Sequence, residues 1–273
     1  MPYDREKQQG MTYSRYWIHR NGQNQFAALP QSVAGTLRVL PSFLEKFNLQ
    51  GDQRNDIYIG GLQYYWSDYT PDLNRPFLIT TSKKGIDQDY QGSDANETFQ
   101  WHLETTKELT LRPDGGPTLN GGNDLKGRSM GYRSIKFYMD VNVTAANNRH
   151  QSNDVPIFRY ADVLLMKAEA ILRGAPATNG ETARSLINQI RNYVGANELD
   201  AEPSLENLLD ERAREFVDES WRRNDLIRFG KFEDNWGFKS LYSAGFSEKF
   251  RRIFPLPTSV LNVNTNWTQN PGY

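Results

Sequence analysis

Six consecutive residues, Tyr64-Tyr65-Trp66-Ser67-Asp68-Tyr69, hold four aromatic rings among polar neighbours. A ring in such a setting offers a flat apolar face on which another flat molecule can stack, with polar side chains at the rim to fix its orientation. Tyr13, Tyr16 and Trp17 form a second such group. Asp68, Arg75, Asn74 and Gln63 are the candidate rim groups. The competing reading makes these rings core or loop anchors, because aromatics supply much of a folded chain's buried area.

Other chemistry is weaker. The series Glu211, Arg212, Arg214, Glu215, Asp218, Glu219, Arg222, Arg223, Asp225, Arg228 contains several carboxylates. Two carboxylates facing each other across a cleft would suit a glycoside hydrolase. Opposite charges three and four apart read instead as ion pairs along a helix. His19, His102 and His150 lack metal-ligand spacing and read as surface or loop residues. Asp87, Asp89 and Asp94 lie close enough to offer oxygen ligands to calcium, without the full Asp-x-Asp-x-Asp-Gly pattern. No other cofactor is indicated. The chain has no cysteine, no glycine-rich phosphate loop with its lysine and no Gly-x-Ser-x-Gly elbow.

These residues need elements to position them. The clearest signal runs from Asn153 to Val194. Tyr160, Val163, Leu164, Ala168, Ile171 and Leu172 recur at steps of three and four, as do Ala183, Leu186, Ile187, Ile190 and Val194. That period defines two helices, and the short Gly174–Gly180 loop makes them neighbours. The spacing predicts a helical hairpin of the tetratricopeptide kind, which needs neighbours to cover its apolar face. A third helix opens at Ser204 as N-cap and ends at Gly230. Its stripe is Leu205, Leu208, Leu209, Ala213, Phe216 and Val217. Ser42 with Glu45 predicts a capping box on a shorter helix. Asp52 and Arg54 are close enough to pair. Candidate strands are Asp56–Ile59, Phe77–Thr81 and Ser134–Tyr138, set among long loops. At 273 residues, with 37% hydrophobic content and a mean hydropathy of −0.73, the chain can build a core but stays polar overall. A net charge of −1, without a dense basic tract, argues against nucleic acid. No apolar run approaches the ~20 residues of a membrane helix, so no transmembrane segment is expected in this chain.

Several of these segments together resemble the SusD/RagB family of outer-membrane nutrient-binding lipoproteins. The first is NDVPIFRYADVLLMKAEAIL. The second is the spacing of Glu211-Arg212, Glu215, Glu219, Arg222, Asp225-Leu226 and Arg228. The ending Thr268-Gln269-Asn270-Pro271-Gly272-Tyr273 and the upstream GTLRVLPSFLEKF follow the family's order. Ser220 departs from the pattern, standing where the family usually has glycine. The chain resembles only the second half of such proteins, which implies a missing N-terminal half that would carry signal, lipid anchor and further helices.

The resemblance implies a mostly α, SusD-like fold with long aromatic loops and a few short strands. It implies one domain over 1–273, loop-rich over 1–153 and a helical scaffold with a C-terminal tail over 154–273. It implies an outward-facing outer-membrane protein that binds oligosaccharide or polysaccharide without cleaving it and delivers it to a SusC-like TonB-dependent transporter. On that reading the stacking residues meet sugar rings, and the site is Tyr16, Trp17, Tyr65, Trp66, Asp68, Tyr69 and Arg75. The alternatives are a helical protein–protein interaction module without glycan binding, or a glycoside hydrolase. A further expectation is an uncovered apolar helix face.

Overall fold

The computed structural model describes residues 11–26, 33–82, 98–111, 121–122, 124–142, 150–239 and 248–273. Asp87, Asp89 and Asp94 lie outside these residues. Helix covers about a third of the described chain, less than the mostly α architecture expected. Among the described residues the first half is built from short helices, α1 (Ser14–Trp17), α2 (Pro41–Leu44) and α3 (Leu125–Ser129), and eight short strands. The strands are β1 (Tyr58–Ile59), β2 (Gly61–Leu62), β3 (Tyr64–Ser67), β4 (Thr70–Pro76), β5 (Leu78–Thr81), β6 (Phe99–His102), β7 (Glu104–Thr105) and β8 (Arg133–Ser134). They pair antiparallel as β1–β8, β2–β7, β3–β4 and β5–β6. The second half holds α4 (Tyr160–Leu172), α5 (Ala183–Tyr193), α6 (Leu205–Glu215), α7 (Arg222–Arg228) and α8 (Thr258–Val263). No described helix is long and apolar enough to cross a membrane.

The helix signals translate unevenly. On α5 and at its C-cap, Ala183, Leu186, Ile187, Ile190 and Val194 are all buried, as their spacing requires. Thr182 and Ser185 cap that helix reciprocally, and Ser204 with Asn207 does the same for α6. Leu208, Ala213 and Phe216 of the third stripe are also buried. α2 differs from expectation. Pro41 takes the first helical position, which its fixed φ and missing N–H suit, so Ser42 falls inside the turn and caps nothing. The third helix also differs, because it stops at Glu215 rather than running to Gly230. Asp218 and Ser220 adopt φ of 63° and 65°, and α7 begins after them. The left-handed φ at Ser220 is the physical reason a glycine would suit that position.

α4 keeps part of its expected face, with Ile171 and Leu172 packed against the core beside Leu164 and Ala168. Leu164, Leu165 and Ala168 are buried against α5 and α6, but Tyr160 is 73% exposed and Val163 52%. Asp162 and Glu169 point inward instead. Asp162 Oδ1 accepts from Arg212 Nη1 at 2.8 Å, and Glu169 Oε2 accepts from Arg228 Nη1 at 2.7 Å. With these carboxylates turned inward, Ile157, Phe158, Tyr160, Val163 and Met166 are left as an exposed apolar stripe.

These pairs belong to a buried network that extends the expected ion pairs along a helix to partners on other elements. Glu211 is fully buried and meets Arg54, Arg191 and Arg214, while Arg54 also holds Asp52 and Glu215. Arg212 bridges Asp162 and Asp225, and Arg159 bridges Glu215 and Glu219. Most pairs cross between elements. The Asp52–Arg54 pair read from sequence is present, and it anchors the first half of the chain to α6.

Candidate functional site

The aromatic run lies on a β-hairpin rather than in a loop. β3 and β4 are joined by Asp68 and Tyr69, with φ of 46° and 64°. Two successive left-handed residues match the tight turn whose twist suits paired strands. Asp tolerates that conformation, whereas Tyr69 is held in it at some cost. Alternation along β3 then sends Tyr64 and Trp66 to one face and Tyr65 to the other.

On the first face Trp66 packs 5.6 Å from Phe26 and 6.0 Å from Tyr138, ring centre to ring centre. Tyr69 lies 4.4 Å from Tyr138 at an interplanar angle of 43°. The Trp66 N–H donates to the Gln25 carbonyl at 2.8 Å, fixing the strand. Trp66 is half-buried, and Tyr69 is 74% exposed. A groove runs along this face, lined by Tyr64, Trp66, Tyr69, Leu73, Leu62 and Asp56, among others. Burial above all, with a smaller push from the nearby Asp68 carboxylate, raises the Tyr138 hydroxyl above its usual value, so it stays protonated at neutral pH.

The other expected site residues scatter. Tyr65 turns away from the groove, packs 4.8 Å from Phe77 and carries the Arg75 guanidinium 4.7 Å over its ring. Asp68 is exposed at the hairpin tip. Gln63 is buried and bonds Gln25, Thr105 and the Gly61 carbonyl, so it is occupied. Tyr16 is half-buried beneath the Arg15 guanidinium at 5.0 Å. Trp17 is a core residue, correcting its assignment as a ligand platform. It is 7% exposed and packs with Tyr58, Val39, Phe47 and Val217. Sequence reasoning passed over Tyr138, which backs both Trp66 and Tyr69. It also read His19 as a surface or loop residue; His19 lies in a loop after α1 but is buried. Burial and the charges of Arg133, Arg128 and Arg38 hold it well below the usual histidine value, hence neutral.

The carboxylate series behaves as structure. Burial opposes ionisation of Glu211, but Arg214, Arg54 and Arg191 outweigh it and hold its carboxyl below the usual value. Its geometry suits ion pairing, not donation of a proton. Among the described residues no group of three metal-ligating side chains converges.

Comparison with known proteins follows this geometry. The SusD family model matches residues 1–273. The starch-binding protein SusD of Bacteroides thetaiotaomicron is 36% identical over 128 residues, covering 45% of this chain and 22% of SusD. A laminarin-binding SusD-like protein superposes with a TM-score of 0.54 at 22% identity, over 98% of this chain and 45% of its own. Surface glycan-binding protein A from Bacteroides fluxus gives 0.53 at 19%, over 97% and 46%. At these identities the solved structures speak to fold, and the chain spans about half their length. With the family's model matching this chain from residue 1 to 273, the chain belongs to the SusD family.

Proposed function

We propose that this chain binds an oligosaccharide or polysaccharide non-covalently along the β3–β4 hairpin. The observation that carries the reading is Tyr69, a ring 74% exposed in a strained turn and backed by Tyr138, which itself packs on Trp66. A sugar presents a flat C–H face rimmed by hydroxyls. Tyr69 and Trp66 offer the face, and Asp68, Asp56 and the tyrosine hydroxyls offer the rim. The starch-binding and laminarin-binding relatives support this ligand class. On the same reading the protein is not an enzyme, works at the outer membrane facing outward, and passes its ligand to a SusC-like TonB-dependent transporter. The tetratricopeptide-like α4–α5 pair then serves as scaffold. The α4 stripe around Tyr160 and Val163 also favours a protein contact, the role of an interaction module.

The test is native affinity electrophoresis in gels containing neutral polysaccharides, with Trp66→Ala and Tyr69→Ala alongside the parent chain. Loss of one stacking platform removes about 1–3 kcal/mol, or roughly 5- to 150-fold in affinity. Retardation of the parent that falls in both variants supports the site. Equal retardation of all three chains refutes it.

A further inference from the structure

A second cleft lies apart from the aromatic groove, and its charge is one-sided. Its polar lining includes Arg20, Arg38 and Arg128, and no carboxylate lines it among the described residues. Leu40, Phe238 and other apolar side chains complete the walls. Elsewhere in this chain arginines come with carboxylates, as around Glu211. Here Arg38 is half-buried and makes no hydrogen bond or ion pair with any described residue, and its buried Nε has no partner. Arg20 is likewise without a described ion-pair partner.

The backbone is shaped around Arg38. A Cβ on Gly121 would sit 2.3 Å from its Nη1, and one on Gly131 would sit 2.8 Å from its Cβ. Glycine at 121 leaves room for the guanidinium, and glycine at 131 leaves room for its aliphatic stem. Buried His19 is kept neutral first by its burial, and the charges of Arg133, Arg128 and Arg38 act on it in the same direction. Burial lowers the Arg38 pKa, so its charge is held at a cost that a bound anion would offset. A guanidinium offers a planar fork of donors that fits an oxyanion bidentately. Apolar walls beside it suit the face of the ring that carries the oxyanion.

We propose that this cleft is an anion subsite that receives the carboxylate or sulfate ester of an acidic glycan, with Arg38 as its principal ligand. The inference rests on the glycan reading above and narrows its ligand class to charged saccharides.

The experiment pairs polymers matched except for charge: dextran with dextran sulfate, and polygalacturonate with its methyl ester. Free glucuronate and inorganic sulfate serve as minimal probes in calorimetry. The full chain is compared with Arg38→Gln and Arg20→Gln, each checked for folding by circular dichroism. The expected result is tighter binding of at least one charged polymer than of its neutral partner. Arg38→Gln then weakens it at least tenfold, and raised salt weakens it further. If Arg38→Gln does not fold, Arg20→Gln carries the test with a smaller loss of the same sign. Equal affinity for charged and neutral partners, or unchanged binding in a folded Arg38→Gln, overturns the subsite. Tyr69-dependent binding of neutral polymers alone leaves the glycan reading standing and ends this one. Glucuronate or sulfate binding lost in Arg38→Gln, with no polymer bound, upholds the anion site and ends the glycan reading. No binding of any probe ends both.

Discussion

Replacing Glu211 by glutamine tests whether the buried ion network holds the two halves of the chain together. Glu211 Oε1 accepts from Arg54 Nη2 at 2.7 Å, and Oε2 accepts from Arg191 Nε at 3.0 Å and Arg214 Nη2 at 2.7 Å. Glutamine keeps one acceptor. Placed toward Arg191 and Arg214, that oxygen saves two bonds and turns an amide N–H₂ against the donors of Arg54. Arg54 still has Asp52 and Glu215, but Arg191 and Arg214 lose their carboxylate charge while buried. Stranding a buried charge costs about 3–5 kcal/mol, and the retained bonds put this case near about 3.

Urea unfolding followed by tryptophan fluorescence reads that loss directly. With a slope of about 3 kcal/mol per molar for a chain of this size, the midpoint falls by about 1 M. The pH dependence is a second readout. The folded Glu211 pKa is depressed, so its contribution is complete above the unfolded value of about 4.3 and is lost as pH falls through the folded pKa. The gap between parent and variant is therefore full at neutral pH and closes in acid. A neutral-pH loss under about 1 kcal/mol, or a gap that does not shrink below pH 4, would refute the argument.

Two further substitutions separate packing from binding. Trp17→Ala empties a core position and should cost about 3–5 kcal/mol in thermal or chemical unfolding, whereas Tyr69→Ala should change stability by under about 1 kcal/mol. Comparable losses in the two would mean that the core and groove assignments are wrong. Ser220→Gly relieves a left-handed residue worth about 1–2 kcal/mol and gives back part of that as unfolded-chain entropy, for a net gain of about 0.5–1 kcal/mol by calorimetry. A lower melting temperature would contradict it.

The α5 and α6 packing faces were legible because period and caps agree: Leu186, Ile190 and Leu208 are buried where their spacing puts them. On α4 the helix and Leu164, Ala168, Ile171 and Leu172 were legible, but Tyr160 and Val163 were misplaced because hydrophobic spacing ignores charge. Asp162 and Glu169 reach arginines on α6 and α7. The hairpin was hidden because its turn, Asp68-Tyr69, has none of the glycine that usually marks one. Trp17 and Trp66 look alike in sequence. What separates them is distant chain, Val217 packing over the first and Tyr138 standing behind the second. Arg38 stood out only once Gly121 and Gly131 were seen to flank it.

The network around Glu211 and Arg212 also constrains how the molecule can change by descent. Each charge there is shared, so altering one residue strands others, and most single steps lead through a less stable protein. Drift at these positions therefore has to be concerted or absent. The hairpin tip is the opposite case: Asp68 and Tyr69 touch solvent, and no ion pair hangs on them among the described residues. A lineage could rewrite the tip one residue at a time, trying new ligands, while the framework behind it stayed fixed.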